Sequence, residues 1–209
     1  MAKIKQHIRH VFTLPLALIL LITAGCTSTL QVEGEFPRPV IHQLPLQVAV
    51  HYQDDFRRYR YVEKSEKRSK WEIDIGNAQV ALFDTVLPAM FENVVQVSGI
   101  SPQENSDIDL FFEPYVEEFQ YNMPRETKVN VFEVWIKYNM KVYDGQGALI
   151  ADWILTAYGK TPTAFMKSEE NALNEAMIIA LRDVGAGLSL KFSHIPEINS
   201  WLNKQGQLQ

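Results

Sequence analysis

From Leu46 the apolar residues alternate with more polar ones, Leu46, Val48, Val50 and Tyr52 against Gln47, Ala49, His51 and Gln53. Side chains two apart share one face of a strand, so this stretch predicts a half-buried strand. Phe56 to Val62 carries Phe56, Tyr59, Tyr61 and Val62 among basic residues and is expected to pair back as a second strand. The period then changes to that of a helix: Val80, Phe83, Leu87, Met90 and Phe91 make a stripe that Ala78, Leu82 and Val86 widen, with Asn77 placed to cap its start. Pro88 lacks the N–H a helix interior needs, so a kink or an early end is expected there. Val94, Val95 and Val97 suggest a short strand after it.

Three long extended segments follow, Ile108 to Tyr121, Val129 to Tyr143 and Leu149 to Lys160. Asp144-Gly145-Gln146-Gly147 joins the last two as a hairpin, because glycine supplies the positive φ of tight turns. In the second segment the apolar phase shifts near Val131 and Phe132, which predicts a bulge or a strand running past the edge of the core. Ser168 followed by Glu169 and Glu170 opens a last helix, with Leu173, Ala176, Met177, Ala180, Leu181, Val184 and Leu188 as its buried stripe. Its many alanines allow close approach to a sheet. The expected fold class is α+β, a two-layer domain with both helices on one face of an antiparallel sheet.

Upstream of this domain the pattern is of another kind. Lys3, Lys5 and Arg9 lead into a mostly apolar run from Val11 to Ile22, and the small residues Ala24 and Gly25 precede Cys26, the one cysteine of the chain. A spanning helix needs roughly 20 apolar residues; this run is shorter and holds Pro15, so it reads as a signal peptide over residues 1–25. Gly34, Pro37 and Pro39 break residues 26–44 into an extended tether, residues 45–200 form the domain, and residues 201–209 are a tail in which Trp201 and Leu202 could dock back.

Thr23-Ala24-Gly25-Cys26 resembles the box that ends the signal of bacterial lipoproteins. That resemblance implies a diacylglyceryl group on the Cys26 thiol, cleavage before Cys26 and acylation of its amine, with palmitate among the chains. Several acyl chains on one residue make a durable anchor. Thr27 stands where many Gram-negative lipoproteins carry an inner-membrane Asp, so the resemblance implies the periplasmic face of the outer membrane. In the order of its elements the domain also resembles small accessory lipoproteins of the envelope, the YajG-like and LptE-like proteins and the auxiliary lipoproteins of lipid-transporting ABC systems. No functional residue carries over from them.

Chemistry is sparse. The chain has 20 Lys and Arg against 25 Asp and Glu, and loss of Lys3, Lys5 and Arg9 with the signal would lower the formal charge from −5 to −8. After Cys26 the histidines are His42, His51 and His194, without metal-ligand spacing, and no nucleophile, phosphate-loop or cofactor motif is present. No metal and no cofactor are expected. His51 reads as an outward-facing strand residue. Asp107, Asp109, Glu113 and Glu117 share one parity and read as a solvated face, although with Glu118 they could supply a carboxylate pair for a peptidoglycan hydrolase. Against the acidic background, Arg57, Arg58, Arg60, Lys64, Lys67, Arg68 and Lys70 lie among Phe56, Tyr59, Tyr61 and Trp71. An exported protein does not meet nucleic acid, so this segment is a candidate contact for an envelope protein or an anionic glycolipid, or else a solvated loop. The leading expectation is a non-enzymatic accessory lipoprotein that binds an envelope partner or an amphipathic lipid. A third alternative is a ring or pore subunit whose long strands join a shared sheet.

Overall fold

The computed structural model describes residues 28–68, 70–101, 107–126, 129–162 and 168–206. Cys26 and the apolar run before it lie outside the described residues. Among the described residues eight strands form two sheets. They are β1 (Ser28–Gln31), β2 (Leu44–Val50), β3 (Arg60–Val62), β4 (Trp71–Asp74), β5 (Phe91–Gln96), β6 (Leu110–Asn122), β7 (Val131–Asp144) and β8 (Leu149–Pro162). The helices are the single turn α1 (Asp54–Arg57), then α2 (Gly76–Met90), α3 (Glu169–Lys191) and α4 (Pro196–Lys204).

The large sheet runs β5-β2-β6-β7-β8 and the small one β1-β4-β3. The fold is α+β with helices packed on a sheet, as the periodicity predicts, but the sheet is mixed: β2 runs parallel to both β5 and β6, and only β6, β7 and β8 are antiparallel neighbours. The hairpin between β7 and β8 turns through Gly147 at φ 82°. On β7 the even residues Phe132 to Val142 are all buried and the odd ones half-buried, so one face of this sheet lies in the core. Helices α2 and α3 cover that face. The Tyr138 hydroxyl donates to Gln79 Oε1 of α2 at 3.0 Å, Phe83 packs edge-on against Tyr138, and α3 seats on β8 at Gly159.

Several local expectations meet their tertiary context. Ser168 caps α3 by accepting from the Asn171 N–H. Asn77 does not cap α2; the helix begins at Gly76, whose N–H donates to Asp74 Oδ1. Pro88 lies inside the last turn of α2, which ends at Met90: the chain becomes β5 at Phe91, and the Pro88 carbonyl accepts from Arg38 Nη2 and Gln43 Nε2, each at 2.9 Å. The phase shift near Val131 is the start of β7, with the exposed Val129 outside it, while a bulge lies on β6 between Val116 and Glu118. Past that bulge Phe119 and Tyr121 turn to the helix face. There the small sheet lands on them, Tyr61 sitting 4.9 Å from the Phe119 ring centroid. Phe56 to Val62 therefore does not pair back on β2. It supplies α1 and then β3, whose partner is β4, a strand the hydrophobic pattern does not single out.

The segment expected as a tether is folded from Ser28 onward. β1 lies parallel to β4, and Leu30 and Val32 are each 2% exposed. Asn174 of α3 holds Glu33 through its carbonyl and N–H, and Arg182 donates to the Glu35 carbonyl. Leu30→Ala should therefore lower stability by about 2–3 kcal/mol, the low end for a leucine truncated in a core. A shift in the urea midpoint measures it; a free tether would give none. The start of the expected tail is also folded, with Leu202 of α4 buried.

Candidate functional site

The basic segment divides when its partners are counted. Arg57 donates from Nε to the Tyr52 carbonyl and from Nη2 to Gln96, with its guanidinium 5.2 Å from the Tyr52 ring centroid. Arg58 pairs with Asp54 one turn back, both exposed, an arrangement worth well under about 1 kcal/mol. Arg60 bridges Glu72 and Asp74 across the β3–β4 pair. Arg68 is the most committed: it meets Glu63 at 2.8 Å, Glu126 at 2.6 Å and the Tyr121 carbonyl at 2.6 Å, and stacks 4.4 Å from the Tyr121 ring centroid. Hydrogen bonding from Arg68 keeps the Glu126 carboxyl below its usual range. Lys64, Lys67 and Lys70 are exposed and have no ion-pair partner among the described residues. Thus Arg57, Arg60 and Arg68 are tied into the fold, Arg58 stays exposed on a weak local pair, and three lysines stay open.

A second cluster lies on the face of the large sheet away from the helices. Glu113 does not belong to a wet face; it is 4% exposed. His51 Nδ1 lies 2.8 Å from its Oε1, and Gln53 Nε2 donates to the same oxygen at 3.0 Å. The Tyr115 and Tyr143 hydroxyls donate to Oε2, the latter at 3.3 Å. Burial pushes the Glu113 pKa up, but the bonds from Tyr115, His51 and Gln53 outweigh it and hold the carboxyl below its ordinary value. The phenol of Tyr115 is pushed above the usual range by burial and by its bond to Glu113, and Lys141 Nζ sits 4.9 Å from its ring centroid.

Such a carboxylate is a fixed anion and acceptor. A glycosidase acid needs the opposite shift. The other carboxylates raised for that role take separate partners: Asp109 accepts from the Gln47 N–H, Glu117 pairs with Lys137, and Glu118 accepts from Gln120. No group of three potential metal ligands occurs among the described residues. The expectation of an outward His51 misses this cluster because it forms only when β2 and β7 flank β6; the nearest signal in the sequence is the shared parity of Glu113, Tyr115 and Tyr143.

Two open clefts flank α1. One, of about 770 Å³, is lined by Gln53, Asp54, Arg58, Tyr59, Arg60 and Tyr115 among others. The other, of about 650 Å³, has His51, Tyr52, Gln53, Arg57, Val97 and Ser98 in its wall. Farther along the open sheet face, Trp135 and Tyr158 lie with ring centroids 5.2 Å apart. The Tyr158 hydroxyl donates to Glu133 at 2.7 Å, and burial together with this bond pushes its pKa up to about 12. Among the described residues no helix is long and apolar enough to cross a membrane.

No protein-family model matches the sequence, and comparison with curated proteins gives no match. Solved structures do match. Protein XCC0632 from Xanthomonas campestris, of family DUF330, superposes with a TM-score of 0.53 at 14% identity, over 86% of this chain and 98% of that one. The chain shares its fold with XCC0632. A minor lipoprotein from Acinetobacter baumannii matches at a TM-score of 0.43 and 12% identity, over 73% of this chain and 94% of its own. A protein named as a candidate lipoprotein from Caulobacter crescentus matches at 0.40 and 14%, over 62% of this chain and 84% of its own.

Proposed function

We propose that this protein is acylated on Cys26, is held at the periplasmic face of the outer membrane, and serves as a non-enzymatic accessory whose domain binds an envelope partner. The observation that carries the reading is the spacing at the front of the chain: a basic head, an apolar run too short to span, and small residues before a single cysteine that stands two residues ahead of β1. Non-enzymatic work is supported by the state of the best-placed acid, since Glu113 is saturated with donors and held ionised. Cys26→Ser should abolish incorporation of labelled palmitate and release the protein from the membrane fraction. Unchanged retention and gel mobility would sink the anchor.

For the partner, the open sheet face is the better support than the arginines, of which Arg57, Arg60 and Arg68 already spend their charge within the fold. Trp135 and Tyr158 give it rigid aromatic area of the kind that dominates protein interfaces. A photo-crosslinker in place of Thr156, exposed on that face, should give an adduct with an envelope protein in intact cells. Adducts to lipid alone would favour the amphipathic-lipid reading, and adducts between two copies of the chain the shared-sheet assembly.

A further inference from the structure

β1 begins at Ser28, and in the sequence only Thr27 stands between it and Cys26. Two residue steps of extended chain reach at most about 7–8 Å. An acyl group on Cys26 is therefore leashed that closely to the point where the Ser28 N–H donates to the Lys70 carbonyl at 2.9 Å. The loop from β3 to β4 sits at this same end, because Ser28 pairs with Trp71 while Val62 pairs with Glu72. Arg68 clamps the loop onto Glu63, Glu126 and the Tyr121 carbonyl. Lys64, Lys67 and Lys70 are left pointing outward from a braced loop, with Glu66 the one exposed acid beside them that Arg68 does not take.

We propose that Lys64, Lys67 and Lys70 form a foot that docks on the anionic phospholipid headgroups of the leaflet holding the acyl chains, so that the domain stands on the bilayer in one orientation. This rests on acylation of Cys26. Three features converge on it. The leash is about as short as the Debye length at physiological salt, roughly 8 Å, so the lysines beside it fall within reach of the surface charge. The anchor turns docking into an intramolecular event, for which modest attraction suffices. And the rest of the chain carries net negative charge, so an anionic surface repels it on balance and favours contact through the three lysines. Each lysine near such a surface favours the docked state by about fivefold, three together by on the order of 100-fold.

The test uses the lipidated full chain in vesicles of phosphatidylcholine alone or mixed with phosphatidylglycerol, treated with a membrane-impermeant amine reagent and read by mass spectrometry. Lys64, Lys67 and Lys70 should label at least about fivefold more slowly in the anionic vesicles. Lys191, at the far end of α3, should label alike in both. About 0.5 M NaCl should remove the protection, and Lys64→Gln should weaken it at Lys67 and Lys70. If the protein floats with both vesicle types and the three lysines label equally in them, docking is overturned and the anchor stands. Protection of equal size in neutral vesicles also overturns it, since headgroup charge is then not the ligand. If the protein floats with neither, the anchor reading fails and docking with it.

Discussion

Gly159→Val should cost about 4 kcal/mol or more and leave little soluble protein at physiological temperature, since domains of this size are stable by only about 5–15 kcal/mol. Gly159 lies on β8 opposite Val134, on the face covered by α3. A Cβ there would stand 2.1 Å from the Ala176 carbonyl oxygen and 2.5 Å from the Ala180 nitrogen. Both contacts are backbone, so no rotamer change relieves them; the helix must lift away. Lifting it opens the seam in which Ala172, Ala176 and Ala180 are buried against the sheet, adding lost burial to the ordinary overpacking cost of about 1–3 kcal/mol. Urea unfolding followed by tryptophan fluorescence measures the change. A variant within about 1 kcal/mol of the parent would mean that α3 does not rest on this strand.

Glu113→Ala should destabilise by about 3–4 kcal/mol at neutral pH, because it removes four hydrogen bonds at once and some of them are charge-assisted. The hydroxyls of Tyr115 and Tyr143 lose their acceptor and His51 loses its partner, while Gln53 loses one of two acceptors and keeps the Tyr115 hydroxyl. The effect has a pH signature. The folded pKa of Glu113 lies below the usual carboxylate value of about 4.5, so its contribution is fully present above that value and is lost as the pH falls through the folded pKa. The gap between parent and variant should be widest near neutrality and narrow on acidification below about pH 4.5. A gap that widens in acid would mean that Glu113 is protonated in the fold and could serve as an acid after all. Denaturant midpoints from pH 7 down to pH 3 distinguish the two.

How far the chain could be read in advance depended on the range over which each feature is decided. The Ser168 cap and the Asp144 to Gly147 turn each rest on a few neighbouring residues, and each stands in the structure as the spacing predicts. The alanines of α3 announced a close approach to a sheet, and Gly159 is where it happens. The fate of the arginines was not visible, since Arg68 meets Glu126 58 positions away. Nor was the Glu113 cluster, whose donors come from β2, β6 and β7.

By itself the sequence determined the long elements, β2, β6, β7, β8, α2 and α3, and that a lone cysteine follows an export-like head, because hydrophobic period, turn chemistry and caps act between residues close along the chain. Only the tertiary structure decided the parallel pairing of β2, the docking of residues 28–44, the division of the basic segment into bound arginines and open lysines, and the burial of Glu113. These depend on segments tens of residues apart meeting in space, where shape and leftover hydrogen-bonding capacity choose the partners and one-dimensional spacing carries no record of the choice.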